Sequence, residues 1–235
     1  MEPNDLARTI IIPKLKNTKI ISIAGKSGTG KTTLALQIAG YLLTYSFPYE
    51  NQCIWLQASE LFPKKRLRAM FSKTSGKYSY LTQNILITPK NRPCVNYRNQ
   101  SEIIKKFADS FLPPDSNCLV IDNISHHLRH YIGNQPSAIQ VSNKLNNFYN
   151  KVLHPLIMKC AAEELLLILI HEATFHPKSD SERQYFHGLY NRLNSVKIYL
   201  RKTQDPPTFL MNFATNAEDP LEYSYAIKET GLVRI

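Results

Sequence analysis

One run of residues, Gly25-Lys26-Ser27-Gly28-Thr29-Gly30-Lys31-Thr32, limits what this chain can fold into more than any other feature. It fits a G-x-x-x-x-G-K-S/T spacing at every fixed position. Lys19 to Ala24, before it, reads as a β-branched buried strand, and Thr32 to Tyr45, after it, has helical apolar spacing. Strand, glycine-rich turn and helix in that order make a cradle for phosphate. Glycines let backbone N–H groups wrap an anion, and the helix N-terminus adds positive dipole. Lys31 reaches the outer phosphates and Thr32 offers a hydroxyl to Mg2+. The candidate cofactor-binding residues are Gly25, Lys26, Ser27, Gly28, Thr29, Gly30, Lys31, Thr32 and Thr33, and the expected cofactors are ATP and Mg2+. Asp122 follows the apolar run Cys118 to Ile121. It is expected at the end of a strand neighbouring the one before the loop, where it would hold Mg2+ through water beside Thr32. The plainer alternative is a strand-end or helix-capping aspartate.

The rest of the chain alternates between the two periodicities. Cys53 to Gln57, Ile85 to Thr88 and Cys118 to Ile121 read as strands, and Pro63 to Lys73 and Ser101 to Phe111 as helices. Ser137 to Ala162 carries helical spacing that Pro155 should kink or divide. Leu165 to Ile170 is the near-continuous apolar run of a parallel strand buried on both faces. Val196 to Leu200, Thr208 to Phe213 and Tyr223 to Ile227 alternate between turn signals, which suggests antiparallel strands at one edge. The pattern predicts an α/β fold: a mostly parallel central sheet, helices on both faces and antiparallel strands at the C-terminal edge. Residues 1–18 form a short N-terminal arm and 19–235 a single core domain.

The four cysteines, Cys53, Cys94, Cys118 and Cys160, are scattered without CxxC spacing, which argues against a disulfide framework or zinc site and fits a reducing compartment. The N-terminus lacks a basic-then-apolar signal and no run is long enough to span a bilayer, so a soluble intracellular protein is expected. A net charge of +11 favours polyanion partners, nucleic acid first, with a solvated basic surface as the plain alternative. Lys64, Lys65, Arg66, Arg68, Lys73 and Lys77 crowd one segment with Phe71, Tyr78 and Tyr80 between them. Such a segment could track a phosphate backbone and stack bases, although helix solvation explains it too. The seven histidines lack consistent ligand spacing; His126, His127 and His130, near Arg129, fit a loop facing DNA or a partner, or a solvated helix start.

Taken together, GKSGTGKTTLALQIA, CLVIDNISHHLRHYIG and VKIYLRK resemble the core of RecA/RadA-type recombinases, particularly the eukaryotic Rad recombinases and their paralogues. Ser125 through Gly133 is similar to the family segment after the metal-binding strand, with Arg129, Tyr131 and Gly133 in order. Phe62 to Leu67, FPKKRL, looks like the corresponding piece of XRCC-type and yeast Rad paralogues. The resemblance implies a RecA-like ATP-binding core and a nuclear accessory factor of homologous recombination and double-strand break repair. Its implied partners are another paralogue or the recombinase itself, and single-stranded DNA. It also implies a glutamate shortly after the second strand as the water-positioning base. The matching position here is Ser59, with Glu60 beside it, so turnover would be slow or absent. Glu60 would face away from the site unless its loop were rearranged, because successive strand residues point to opposite faces. At the end of the Leu165 strand, where the family carries Asn or Gln toward the terminal phosphate, this chain has His171 and Glu172; Glu60 and Glu172 are thus the candidate catalytic carboxylates. His187-Gly188 stands where the family has a glycine pair in its DNA-binding loop region. The short lead before the loop leaves no room for the family's helical DNA-binding domain, which favours hetero-association over self-polymerisation. The rival reading is a small stand-alone P-loop kinase or NTPase in which the basic Lys64 to Lys77 segment clamps a phosphorylated substrate, with Arg183 or Arg192 offered as a lid arginine.

Overall fold

The computed structural model describes residues 5–15, 18–44, 51–72, 76–110, 112–133, 137–176, 181–203, 208–215 and 219–235. Tyr45, Lys73 and Phe111, expected at the ends of three helices, lie outside them, as does the side chain of His176.

The β-branched and leucine-rich runs become the strands of one sheet, because only a strand buried on both faces tolerates apolar residues at consecutive positions. Its strands are β1 (Ile20–Gly25), β2 (Gln52–Gln57), β3 (Ile85–Thr88), β4 (Ser116–Asp122), β5 (Leu166–His176), β7 (Val196–Lys202), β8 (Phe209–Ala214), β9 (Leu221–Lys228) and β10 (Gly231–Arg234), while β6 (Ser181–Gln184) folds back on the extension of β5. The order is β10-β9-β8-β7-β1-β5-β4-β2-β3. Strands β7 through β3 in that order are parallel, and β8, β9 and β10 add antiparallel at the β7 side. The expected class therefore holds. The strand carrying Asp122 does not, however, neighbour β1. Strand β5 lies between them, hydrogen-bonded to both.

Side chains alternate across the sheet into two apolar layers. Ile21 and Ile23 of β1 join Ile168 and Ile170 of β5 in the layer covered by α1 (Lys31–Thr44), α2 (Lys64–Phe71) and α3 (Lys77–Asn84). Leu167 and Leu169 face the layer covered by α4 (Tyr97–Asp109), α5 (Ile124–Ile132), α6 (Ala138–Phe148), α7 (His154–Ala162) and the short α8 (His187–Tyr190). Helices α6 and α7 run through a π-helical turn, Tyr149–Leu153, directly ahead of Pro155. Proline has no N–H to give the preceding turn, and the looser π turn absorbs that loss. Along residues 5–15 of the N-terminal arm, Leu6, Ala7, Ile10 and Ile11 are buried against the α1 layer, and Asp5 bridges to Val233.

Candidate functional site

Parallel strands deliver their C-terminal ends to one rim of the sheet, and at a crossover the loops there open a crevice. Here Gly25 ends β1, Asp122 ends β4, and Glu172 lies on β5 as the cross-strand partner of Gly25. Together with the loops after β1 and β2 they line a cavity of about 570 Å³, within the range of small-molecule sites.

The glycine-rich loop builds the near wall from local sequence. A Cβ on Gly25 would sit 2.3 Å from the Leu200 carbonyl oxygen, so only glycine lets the chain leave β1 this close to β7. Gly30 has φ +91°, a left-handed value that favours glycine, as the loop turns into α1. The Lys26 carbonyl accepts from Thr29 Oγ1 at 2.9 Å and from Lys31 Nζ at 2.8 Å, so the lysine side chain lies back over its own loop. Tyr225 of β9 donates to the Thr29 carbonyl at 2.7 Å and ties the loop to the antiparallel edge. Gln37 of α1 hydrogen-bonds both the N–H and the carbonyl of Leu232, at 2.7 and 3.1 Å, and fixes the helix to β10.

Thr32 Oγ1 donates to Asp122 Oδ2 at 2.9 Å, bringing the hydroxyl and carboxylate together across β5. Burial pushes the Asp122 carboxyl up to about 6, with Glu60 adding to the rise and Thr32 and Lys31 opposing it. Burial also lowers the Lys31 ammonium, against the pull of Asp122, Glu172 and Glu60. One lysine thus sits among three carboxylates. Those carboxylates suit a divalent cation, and the loop N–H groups with Lys26, Lys31, Arg66 and Arg129 suit a polyphosphate. The donor set fits magnesium-bound nucleotide, with Thr32 and Asp122 on the metal side.

Ser59 and Glu60 both line the cavity. The expectation that Glu60 would face away fails because β2 ends at Gln57 and alternation stops with it. The Ala58 and Ser59 N–H groups turn to the Asp122 carbonyl, at 2.6 and 3.2 Å, and carry the loop toward the site. Glu172 also lines the cavity, but its carboxylate is occupied: His126 Nδ1 lies 3.0 Å from one oxygen and Arg129 3.0 Å from the other. His171, one residue back, does not line the cavity. It is fully buried, among the described residues neither ring nitrogen has a partner, its ring meets Tyr190 of α8 edge-on at 4.2 Å, and burial takes it down to about 3.

Arg66 and Arg129 line the cavity; the sequence offers Arg66 only as one member of the basic, phosphate-tracking segment, and Arg129 not as a phosphate-site residue. Arg66 donates to the Lys228 carbonyl beside Ile227, so one member of the basic segment belongs to this cavity. In that segment Phe71 is buried against Gly40 of α1 and leaves no ring face for a base, whereas Tyr78 and Tyr80 are half-buried, Tyr78 packed on the core and Tyr80 donating to the Asn51 carbonyl at 2.8 Å. Arg129 comes from α5, capped by Asn123, whose side chain accepts from the Ser125 N–H at 3.0 Å and hydroxyl at 2.9 Å. Reading 124–132 as a helix would have placed Ser125 and Arg129 on one face, four residues apart. Neither Arg183 nor Arg192 lines the cavity; Arg192 donates to Asn146 at 3.3 Å. His127 Nε2 bridges the Ala58 and Cys94 carbonyls at 2.8 and 2.9 Å, and His187 opens α8. Among the described residues no three His, Cys, Asp or Glu side chains group to hold a metal ion, and all four cysteines are free and buried. No described helix is long and apolar enough to cross a membrane. No family model and no curated protein matches the chain.

Proposed function

We propose that the chain is a P-loop protein of RecA/RadA type that binds Mg-ATP, and that it acts in the nucleus as a paralogue-like accessory subunit in homologous recombination and double-strand break repair. The observation that carries the nucleotide half of this reading is the 2.9 Å contact between Thr32 and Asp122 beneath a glycine-rich loop whose lysine already bends over it. Bound Mg-ATP supplies a terminal anhydride whose charge the metal spreads. The chain's own residues do the holding: loop N–H groups and Lys31 take the phosphates, and Thr32 and Asp122 orient the metal's water shell. For the accessory half, the support is the sequence resemblance together with a weak catalytic set. Ser59 stands where a base is expected, Glu60 sits exposed at the rim, and Glu172 is already paired. Nucleotide then serves as glue for an assembly, because a ligand that binds the folded state stabilises it.

The test is binding of labelled single-stranded DNA with and without Mg-ATP across a salt series, comparing wild type with Lys31→Ala. Salt-sensitive, nucleotide-dependent binding that weakens in the variant is expected. Nucleotide binding without any DNA binding, alone or with a recombinase subunit, would overturn the recombination half.

A further inference from the structure

Glu172 poses a problem that its neighbours solve. A carboxylate one strand over from Gly25, in the same cavity and close enough to act on Lys31, opposes any polyphosphate held by the loop. His126 Nδ1 lies 3.0 Å from one oxygen and the Arg129 guanidinium 3.0 Å from the other as an ion pair, and the Glu172 backbone N–H donates to Ser125 Oγ at 3.0 Å, which fixes where the side chain starts. Arg129 is the more versatile partner. It is half-buried, donates to the Tyr185 hydroxyl at 3.3 Å, and holds its guanidinium 5.0 Å from that ring's centre. Tyr185 in turn donates its N–H to the Glu172 carbonyl at 3.0 Å, just past β6. One guanidinium therefore touches the cavity wall and the base of the β5–β6 hairpin.

Guanidinium presents five donors in a fixed fork that matches phosphate as well as carboxylate, so exchanging one anion for the other leaves the cation desolvated to the same degree. The loop cradles the α- and β-phosphates, and only a third phosphate needs a cation from the far wall. Arg66 lies at the β9 side of that wall, tied to Lys228.

We propose that Arg129 reads the terminal phosphate of a nucleoside triphosphate, with Glu172 holding the arginine until that phosphate takes its place. This rests on the nucleotide reading above. Arg129 is then a specificity residue for triphosphate over diphosphate, and its release from Glu172 and Tyr185 is how the third phosphate reaches the hairpin.

The experiment measures affinities of the full chain for Mg-ADP and a non-hydrolysable Mg-ATP analogue by competition with a fluorescent nucleotide, in wild type, Arg129→Gln and Glu172→Gln. Arg129→Gln should weaken the triphosphate analogue by about tenfold or more and leave ADP within about twofold, the loss of one charge-assisted pair. Glu172→Gln should shift the ratio the other way, by several fold, toward triphosphate. Retained ADP binding shows that each variant is folded; if Arg129→Gln does not fold, Glu172→Gln decides alone. An unchanged triphosphate-to-diphosphate ratio in Glu172→Gln, or equal losses for both nucleotides in Arg129→Gln, overturns the proposal while leaving the nucleotide site standing. A wild type that binds neither nucleotide removes both readings together.

Discussion

The two walls of the cavity are made in opposite ways. The near wall is a single stretch, Gly25 to Thr33, whose internal hydrogen bonds from Thr29 and Lys31 to the Lys26 carbonyl settle its shape locally. The far wall is assembled from Glu60, Arg66, Asp122, Arg129 and Glu172, brought from loops, helices and strands distant in the sequence. The near wall offers backbone donors and two lysines of one sign, Lys26 and Lys31, whereas the far wall holds charges of both signs that must answer one another. Asp122 joins the two walls through Thr32. The contrast teaches that the cradle is built in and the discrimination is balanced, and a balance is easier to tip by one side chain.

The largest expected effect lies at that junction. With its carboxyl raised from 3.8 to about 6 in the folded chain, Asp122 contributes stability that is complete below pH 3.8 and lost as pH rises through about 6. Ionised at neutral pH without a metal, it costs on the order of 3 kcal/mol. Asp122→Asn keeps an acceptor for Thr32 and removes that cost. Metal-free thermal melts at about pH 8 should show the variant more stable than wild type by a comparable amount, and added Mg2+ with nucleotide should close the gap. A variant no more stable than its parent would break the claim that the carboxylate is held at a cost.

The near wall is tested by Lys31→Ala. The ammonium is the side-chain cation that the loop folds over itself, and its removal should weaken nucleotide by about a hundredfold, near 2.7 kcal/mol. Calorimetric titration with Mg-ADP checks this. A loss of only a few fold would mean that the loop N–H groups alone hold the phosphates.

These walls also divide what the sequence tells from what it hides. The loop, β1 and the start of α1 are legible because glycine spacing, a β-branched run and a helical repeat act over a few residues each. So is the buried centre of β5, since only a strand covered on both faces tolerates Leu165 to Ile170 unbroken. The position of β5 between β1 and β4 is not legible, because strand order is decided by packing among helices far apart in the chain. Charge composition groups Arg66 with Lys64, Lys65 and Arg68 because it ignores direction. Buried Leu67, Met70 and Phe71 turn α2 so that Lys64, Lys65 and Arg68 are directed away while Arg66 reaches the cavity. Glu60 is hidden for a different reason: strand alternation, carried three residues past the strand's end at Gln57, sends it to the wrong side.

The next effect in size belongs to His171, the buried neighbour of Glu172. The histidine is held neutral, its pKa depressed from 6.5 to about 3 by burial, so the folded chain keeps its full stability above 6.5 and loses it as pH falls toward 3. Between about pH 7 and pH 5 this group alone should cost roughly 2 kcal/mol. His171→Leu should remove that slope. Asp122 runs the opposite way between about 6 and 3.8, so the comparison is variant against wild type at each pH, by denaturant unfolding. Parallel pH profiles would show that the ring is not held neutral by its burial.

The smallest effect belongs to Arg66. It lines the cavity beside Ile227 but spends a donor on the Lys228 carbonyl, and its burial lowers its pKa against the pull of Glu229. A cation in that position strengthens phosphate binding through space rather than by a dedicated pair, so Arg66→Ala should weaken Mg-ADP and Mg-ATP analogue alike, by less than about tenfold. Even-handed loss is what separates it from Arg129. If instead Arg66→Ala cost the triphosphate alone, the cation that discriminates would lie on the β9 side of the cavity, and the pairing of Arg129 with Glu172 would be a structural clasp between α5 and β5.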